Sequence, residues 1–466
     1  MTTSPRRIRP LIIAEAANPT LTSAALVGWS CAKAIAAQTD AHIVTEWRNR
    51  DDFLRAGMVE GTDFTAINNR RLQHLSWSLA TKFSRKGSFS WSLYAVLSNL
   101  VYPFFERKLW QTFGPRLRAG EFDLVHRLLP LSPTTASWIA PRLKKIGVPF
   151  VLGPLNGGVP WPQGFDDLRQ QERDGAGRLR AFYRFSPGLK QTRESAHAIL
   201  TASRTTLHEM PAQLRSRCVF MPENAVDLEK FPLTPKAPAV ADPSKPLRIS
   251  FVGRLVALKG VDMLIAAAAP LIRSGALHLD IIGDGPERER LQAMAQSENI
   301  TAGVCMDGWI PHAQLGARLR ESDLFVFPSI REFGGGVVLE AMALGIPAVV
   351  LDHGGPPELV PPGTGYVLPM TTREDIVTRL RQLLTELRDD PAQLHSAGEL
   401  AQAHVRKYYS WEAKAVQIHE VYRWVLGHRA AKPDWGTPMG FTSQAVDSEA
   451  SMQPMPQPQL IPDHGF

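Results

Sequence analysis

The amino-acid sequence predicts an α/β protein made of two domains, each a parallel sheet covered by helices. Two observations carry this prediction. Short apolar, β-prone runs alternate with helical patterns in both halves of the chain, and a proline-rich break separates the halves. The length of 466 residues, 44% of them hydrophobic, is enough for two full cores. In the first half the runs are PLIIAEA, AHIVTEW, FDLVHRL, PFVLGPL, AHAILTAS and RCVFMPE, assigned to an N-terminal domain over residues 1–232. PLTPKAPAVADPSKP follows. Proline fixes φ and removes a backbone donor, so residues 233–246 read as a linker. LRISFVG, LHLDIIGDG, GVCMDGW, DLFVFPS and PAVVLDH then mark a second domain over residues 247–409. SWEAKAVQIHEVYRWVLG reads as a closing helix at 410–428, and the Pro-, Gln-, Gly- and Ser-rich stretch 429–466 as disordered.

Composition excludes several classes. The three cysteines, Cys31, Cys218 and Cys305, are far apart and odd in number, which suggests neither a disulfide framework nor a zinc cluster and points to a reducing, cytoplasmic compartment. The apolar run after the basic N-terminus is too short for a signal peptide and reads as a first strand. No window approaches the roughly 20 apolar residues of a membrane span. The adjacent pairs Asp51-Asp52, Asp166-Asp167 and Asp389-Asp390 lack a convergent third ligand, so no metal site is assigned. The net charge of +7 is uneven: residues 1–150 hold 20 Lys and Arg against 10 Asp and Glu, and the remainder 32 against 35. No nucleic-acid motif accompanies the basic half. Its stretch SWSLATKFSRKGSFSWSLYAVLSNLVYPFFERKLW sets Trp, Phe and Leu around Lys82, Arg85 and Lys86. That mixture suits the face of an anionic membrane, or else a core with solvated charges.

One segment carries most of the chemistry. In PSIREFGGGVVLEAMALGIPAVV, a strand leads through a glycine loop into a helix and a second strand, and Glu332 and Glu340 stand eight residues apart around Gly334, Gly335 and Gly336. A helix starting near Gly336 offers free amides and the positive end of its dipole to phosphate, at the strand ends where parallel sheets bind ligands. Glu340, about one turn in, could accept hydrogen bonds from a ribose diol. Glu332, on the loop, would face whatever hangs from the far phosphate. SFVGRLVALKG places Gly253, Arg254 and Lys259 after another strand, where two cations could clamp a diphosphate or simply lie at the surface. IIGDGPERERL adds Gly283 at the next strand end.

In this order, GRLxxxKG, GDGPE, the DGW turn at Asp307 to Trp309, Glu-x7-Glu and DHGGPPELV resemble the retaining nucleotide-sugar glycosyltransferases of family 4, which have the GT-B fold of two Rossmann-like domains. The resemblance implies that Arg254 and Lys259 hold the donor diphosphate, Glu340 the ribose, and the amides around Gly335, Gly336 and Val337 the distal phosphate. It implies that Glu332 contacts the transferred sugar, that Trp309 and Ile310 border the base, and that neither a metal nor a further cofactor is required. The family usually reads Glu-Gly-Phe-Gly where this chain reads Glu332-Phe333-Gly334-Gly335. In the N-terminal half, Thr20, Thr22 and Ser23 replace expected glycines after the first strand. FDLVHRLLPLSP offers His126 as a histidine facing the sugar, the alternative being a buried structural one. GPLNGGVPWP, with Asn156, Gly157 and Gly158, looks like an acceptor-side loop or else a packed turn. Asn224 matches the segment before the linker, with Ala225 in place of a glycine.

The expected function is therefore retaining transfer of a sugar from a nucleoside diphosphate to a saccharide or lipid-linked saccharide. The expected place is the inner face of the cell membrane, in exopolysaccharide or envelope glycan synthesis. A catalytically silent scaffold or saccharide-binding subunit, and an epimerase or hydrolase on the same fold, are the alternatives.

Overall fold

A computed structural model describes residues 6–68, 91–171, 187–232 and 245–440. The first sheet contains β1 (Pro10–Ile13), β2 (His42–Glu46), β3 (Phe64–Ile67), β4 (Leu124–Arg127), β5 (Phe150–Leu155), β6 (Ala198–Thr201) and β7 (Cys218–Phe220), in the order β3-β2-β1-β4-β5-β6-β7. The second contains β8 (Leu247–Val252), β9 (Leu277–Ile282), β10 (Val304–Gly308), β11 (Leu324–Phe327), β12 (Ala348–Leu351) and β13 (Gly365–Leu368), in the order β10-β9-β8-β11-β12-β13. Every pairing within the sheets is parallel, with Ile12 opposite both Ile43 and His126, and Ser250 opposite both Asp280 and Phe325.

Strand alternation explains why the runs are apolar throughout. Leu11 and Ile13 turn to one face of the first sheet, packing among Phe105, Leu109 and Phe113 of the helix Trp91–Arg118. Ile12 turns to the other face, with Trp29, Ala32 and Ile35 of the helix Ala24–Gln38. The sequence reading found eleven of these strands and missed β3 and β13. Both are edge strands of four residues whose middle positions are only partly covered, so neither needs a continuous apolar run.

Chain order reverses between β1 and β4 in the first sheet and between β8 and β11 in the second. At such switch points adjacent loops diverge to opposite faces and leave a crevice beyond the strand ends.

One expectation changes in the C-terminal segment. Residues 429–440 are packed rather than disordered: Met439 is fully buried and Lys432 donates to the carbonyl of Cys218 at 3.0 Å. The expected closing helix is present as Trp411–Val425 and packs on the helix Ala24–Gln38 of the first half. Residues 441–466, residues 233–244 of the expected linker, and the basic positions Lys82, Arg85 and Lys86 lie outside the described residues.

That returning helix accounts for His126. The expectation of a sugar-facing histidine is corrected: the ring is fully buried in β4, 2.6 Å from the Gly153 carbonyl through Nε2 and 2.7 Å from the Tyr422 hydroxyl through Nδ1. A carbonyl only accepts, so Nε2 carries the hydrogen and Nδ1 accepts from tyrosine. Both nitrogens are used, and none remains for a substrate. Burial pushes the imidazole down from its ordinary 6.5 to about 4. Because the folded value lies below the unfolded one, this stabilisation is complete above about pH 6.5 and is lost as pH falls towards 4, by roughly 3 kcal/mol. Tyr422→Phe leaves Nδ1 buried without a donor, and we expect a loss of about 1–3 kcal/mol at pH 7, read from the urea unfolding midpoint.

Candidate active site

The crevice of the second sheet is built by loops that touch at backbone distance. Gly253 donates its amide to Ile282 O at 3.0 Å, Leu255 to Asp284 O at 2.9 Å, and Gly283 to Gly308 O at 2.8 Å. A Cβ on Gly283 would stand 1.9 Å from Gly253 O, so only glycine permits this approach. Arg254 projects from the first of these turns, exposed, and Trp309 follows Gly308 with 72% of its surface open. Ile310 is half-buried beside it. A short turn, Ala257–Lys259, then brings Lys259 back towards the sheet, closed by Gly260 in the left-handed region at φ 67°.

The switch point joins the two cations' loop to the acidic one. Lys259 pairs directly with Glu332, and its ammonium lies 4.8 Å from the centre of the Phe327 ring. The Glu332 carboxylate also accepts from the Phe333 amide at 3.1 Å. The loops are stitched by Ile330 N to Leu258 O at 2.8 Å and Gly355 N to Glu332 O at 3.1 Å. Gly335 caps the following helix, Gly336–Ala343, from the left-handed region at φ 74°, which leaves the first amides of Gly336 and Val337 at an open helix start. Glu340 stands on that helix, and its Oε1 is 2.8 Å from Nε2 of His312. This hydrogen bond holds the imidazole above its ordinary range against the opposing effect of burial.

The first half meets this centre through the loop after β5. Asn156 donates to Phe333 O at 3.0 Å and to Glu223 Oε1 at 2.6 Å. Arg331 donates to Val159 O at 3.0 Å and lies over the Trp161 ring at 4.9 Å, and His353 donates to Pro160 O at 2.9 Å. Gly157 and Gly158 carry this loop at φ 148° and 82°. Within the first sheet's own crevice, Glu15 follows β1, and its Oε2 is sealed and unpaired among the described residues. Burial, then Glu46, raises Glu15 to about 7. The loop that lacks glycines is held instead by Asn18, which bonds Asn49, Asp52 and Thr20. Ser23 sits at φ 59° and ends this loop.

The structure thus brings together Gly253, Lys259, Gly283, Glu332, Gly335, Gly336, Val337 and Glu340, with Arg254, Trp309 and Ile310 at the rim and Asn156 arriving from the first half. It places His126 elsewhere. Sequence reading missed His312, Glu223, Arg331 and Glu15. His312 follows the DGW turn by three residues, a spacing that could have flagged it, and Arg331 adjoins Glu332 in the quoted loop; Glu223 meets the site only through tertiary contact, and Glu15 stays in the crevice of the first sheet.

Two parallel-sheet domains with their crevices joined in this way define a GT-B fold. Residues 214–400 match the family described as glycosyl transferases group 1. A GDP-mannose-dependent monoacylated alpha-(1-6)-phosphatidylinositol monomannoside mannosyltransferase of Corynebacterium glutamicum is 33% identical over 177 residues, covering 36% of this chain and 45% of that one. The chain spans about half the length of the curated relatives it matches. Among solved structures, the lipopolysaccharide outer core galactosyltransferase WaaB aligns over 90% of this chain and 99% of its own with a TM-score of 0.58 at 16% identity. Anabaena HepE in complex with UDP-glucose aligns over 91% and 100% with a TM-score of 0.54 at 16%. At these identities the structures speak for the fold.

Gly260 gives the site a stability test. A Cβ there would stand 2.3 Å from Pro328 O, in a left-handed conformation unfavourable to any other residue. Gly260→Ala is expected to cost at least about 2 kcal/mol, measured by urea unfolding.

Proposed function

We propose that this protein is a retaining glycosyltransferase that moves a sugar from a nucleoside-diphosphate donor to a saccharide or lipid-linked saccharide in cell-envelope glycan synthesis. The observation that carries the reading is the pairing of Lys259 with Glu332 at the switch point, beside the open start of the Gly336–Ala343 helix. With donor bound, the diphosphate takes the positive groups: Arg254 from the rim, Lys259 from the crevice, and the amides of Gly336 and Val337 at the distal phosphate. Released from Lys259, the Glu332 carboxylate turns to hydroxyls of the sugar. Glu340, already hydrogen-bonded to His312, accepts from the ribose, and Trp309 with Ile310 flanks the base.

Catalysis then consists of stabilising charge on the departing diphosphate. The bond from the anomeric carbon to phosphate oxygen breaks. The acceptor oxygen bonds the same face of that carbon, and its proton passes to the leaving phosphate. Fixed cations and the helix dipole supply the positive charge, so the reading requires neither a divalent metal nor a cofactor beyond the donor. Asn156, Gly157 and Gly158 border the acceptor side. The acceptor is placed at an anionic membrane face because the first 150 residues carry an excess of ten positive charges.

Arg254→Ala is expected to weaken binding of UDP or GDP about tenfold or more without added metal, followed by thermal stabilisation; unchanged affinity counts against the clamp. Glu332→Ala is expected to abolish sugar transfer while nucleotide affinity stays within about threefold, and normal turnover would remove its role. The wild-type protein is expected to float with phosphatidylserine vesicles at low salt and to be released by 0.5 M salt, at which the Debye length is only about 4 Å; no flotation would defeat the membrane placement.

A further inference from the structure

The loop that carries Glu332 is held from the other half of the molecule by a carboxyl group that the proposed chemistry does not use. Glu223 lies three residues beyond β7, with only 6% of its surface exposed. Its Oε1 accepts from Asn156 Nδ2 at 2.6 Å, and that same amide donates to Phe333 O at 3.0 Å. Asn224 Nδ2 stands 3.4 Å from the same oxygen. Gly334 lies directly against this pair. A Cβ there would meet Asn224 Nδ2 at 2.2 Å and Glu223 Oε1 at 2.4 Å. Gly334 has no positive φ requiring glycine, so what excludes a side chain is the volume occupied by Glu223 and Asn224. The order Phe333-Gly334, inverted from the usual Gly-Phe, is the order that leaves room for them.

We propose that Glu223 is a positioning residue: with Asn156 it clamps the Phe333–Gly334 backbone and so sets where the Glu332 carboxylate and the start of the Gly336 helix stand. The proposal deepens the glycosyltransferase reading and rests on it for the reaction served, but the clamp itself is a geometric statement independent of substrate.

The surroundings favour a neutral acid in this role. Burial is the largest influence and pushes Glu223 up to about 7, Glu332 adds to the rise, and the Asn156 hydrogen bond and the Lys414 ammonium oppose it. Lys414 is itself buried and donates to Pro222 O at 2.8 Å, and Glu358 is the other carboxyl that senses Glu223. A glutamine has the same shape, accepts through its carbonyl oxygen and carries no charge, so it should serve in place of the acid.

The test is hydrogen exchange on the full chain, comparing peptides covering residues 330–340 in the wild type, Glu223→Ala, Glu223→Gln and Asn156→Ala. Glu223→Ala is expected to speed exchange in this segment about tenfold and leave the β9 segment, residues 277–282, unchanged, with Glu223→Gln close to wild type. Unchanged exchange at 330–340 in the alanine variant overturns the proposal. If that variant unfolds throughout, Asn156→Ala decides, with local acceleration supporting the clamp and none overturning it. With a donor that the wild type consumes, UDP-glucose or GDP-mannose being the first tried, Glu223→Ala should lower kcat about tenfold or more with KM within about threefold, and Glu223→Gln should restore it. Equal loss in both variants overturns the positioning role. If the wild type neither binds nor consumes any nucleotide sugar, the transferase reading fails, and the exchange data still decide the clamp.

Discussion

Parallel pairing of strands is the constraint on which the rest depends. Each strand in a parallel sheet must be reached by a crossover, so every loop at one edge of the sheet leads from a strand into a helix or turn. In the second sheet this gathers the turns after β8, β9, β10 and β11 along one edge, and the reversal of chain order separates the β8 and β11 loops just enough for Lys259 and Glu332 to meet between them. The close contacts of Gly253, Gly283 and Gly308 follow from the same geometry. A Cβ on Gly283 would run into Gly253 O and one on Gly285 into Leu255 O, so at these positions the adjacent turns leave no space for a side chain. A helix beginning at that edge necessarily aims its unpaired amides into the crevice.

Electrostatics in the crevice is organised by one exposed cation and two paired groups. Arg254 has no side-chain partner among the described residues, while Lys259 and Glu332 satisfy one another. A salt bridge so largely shielded from water costs desolvation of both ions, and its partners are ready to exchange for better ones. Glu340 and His312 form a similar pair one helical turn away. The site is thus charged and pre-arranged without a fixed charge standing unpaired in its interior.

The two halves are tied by contacts that share no simple sequence separation. Asn156, Val159 and Pro160 reach the loop around Glu332 and His353. Arg204 holds Glu358 through its backbone amide at 2.8 Å. On the far side, the last helix crosses back to the first sheet and is anchored by Tyr422 on His126 and Lys414 on Pro222 O. Burial perturbs several groups at these ties: Glu223 and Glu358 rise to about 7, Lys414 falls to about 8 and His126 to about 4. The polar groups that join the halves are therefore poorly hydrated.

By itself the sequence determined the fold class, the break between the two sheets, eleven of thirteen strands and the strand-end loops that carry Lys259, Glu332 and Glu340. These are local facts: apolar runs bounded by glycine and proline, and charged residues at strand ends, carry their meaning within a dozen neighbours. Two edge strands escaped because half-covered backbone needs no distinctive side chains. Tertiary structure alone decided the role of His126, whose slot in β4 looked suited to a substrate until a helix nearly three hundred residues later buried it. It also decided that residues 429–440 pack, and that Glu223, Asn156 and Gly334 form one unit. The reason is physical: hydrogen-bond partners and excluded volume depend on which surfaces meet, and burial sets the charge state of a side chain only once its neighbours from distant segments have arrived.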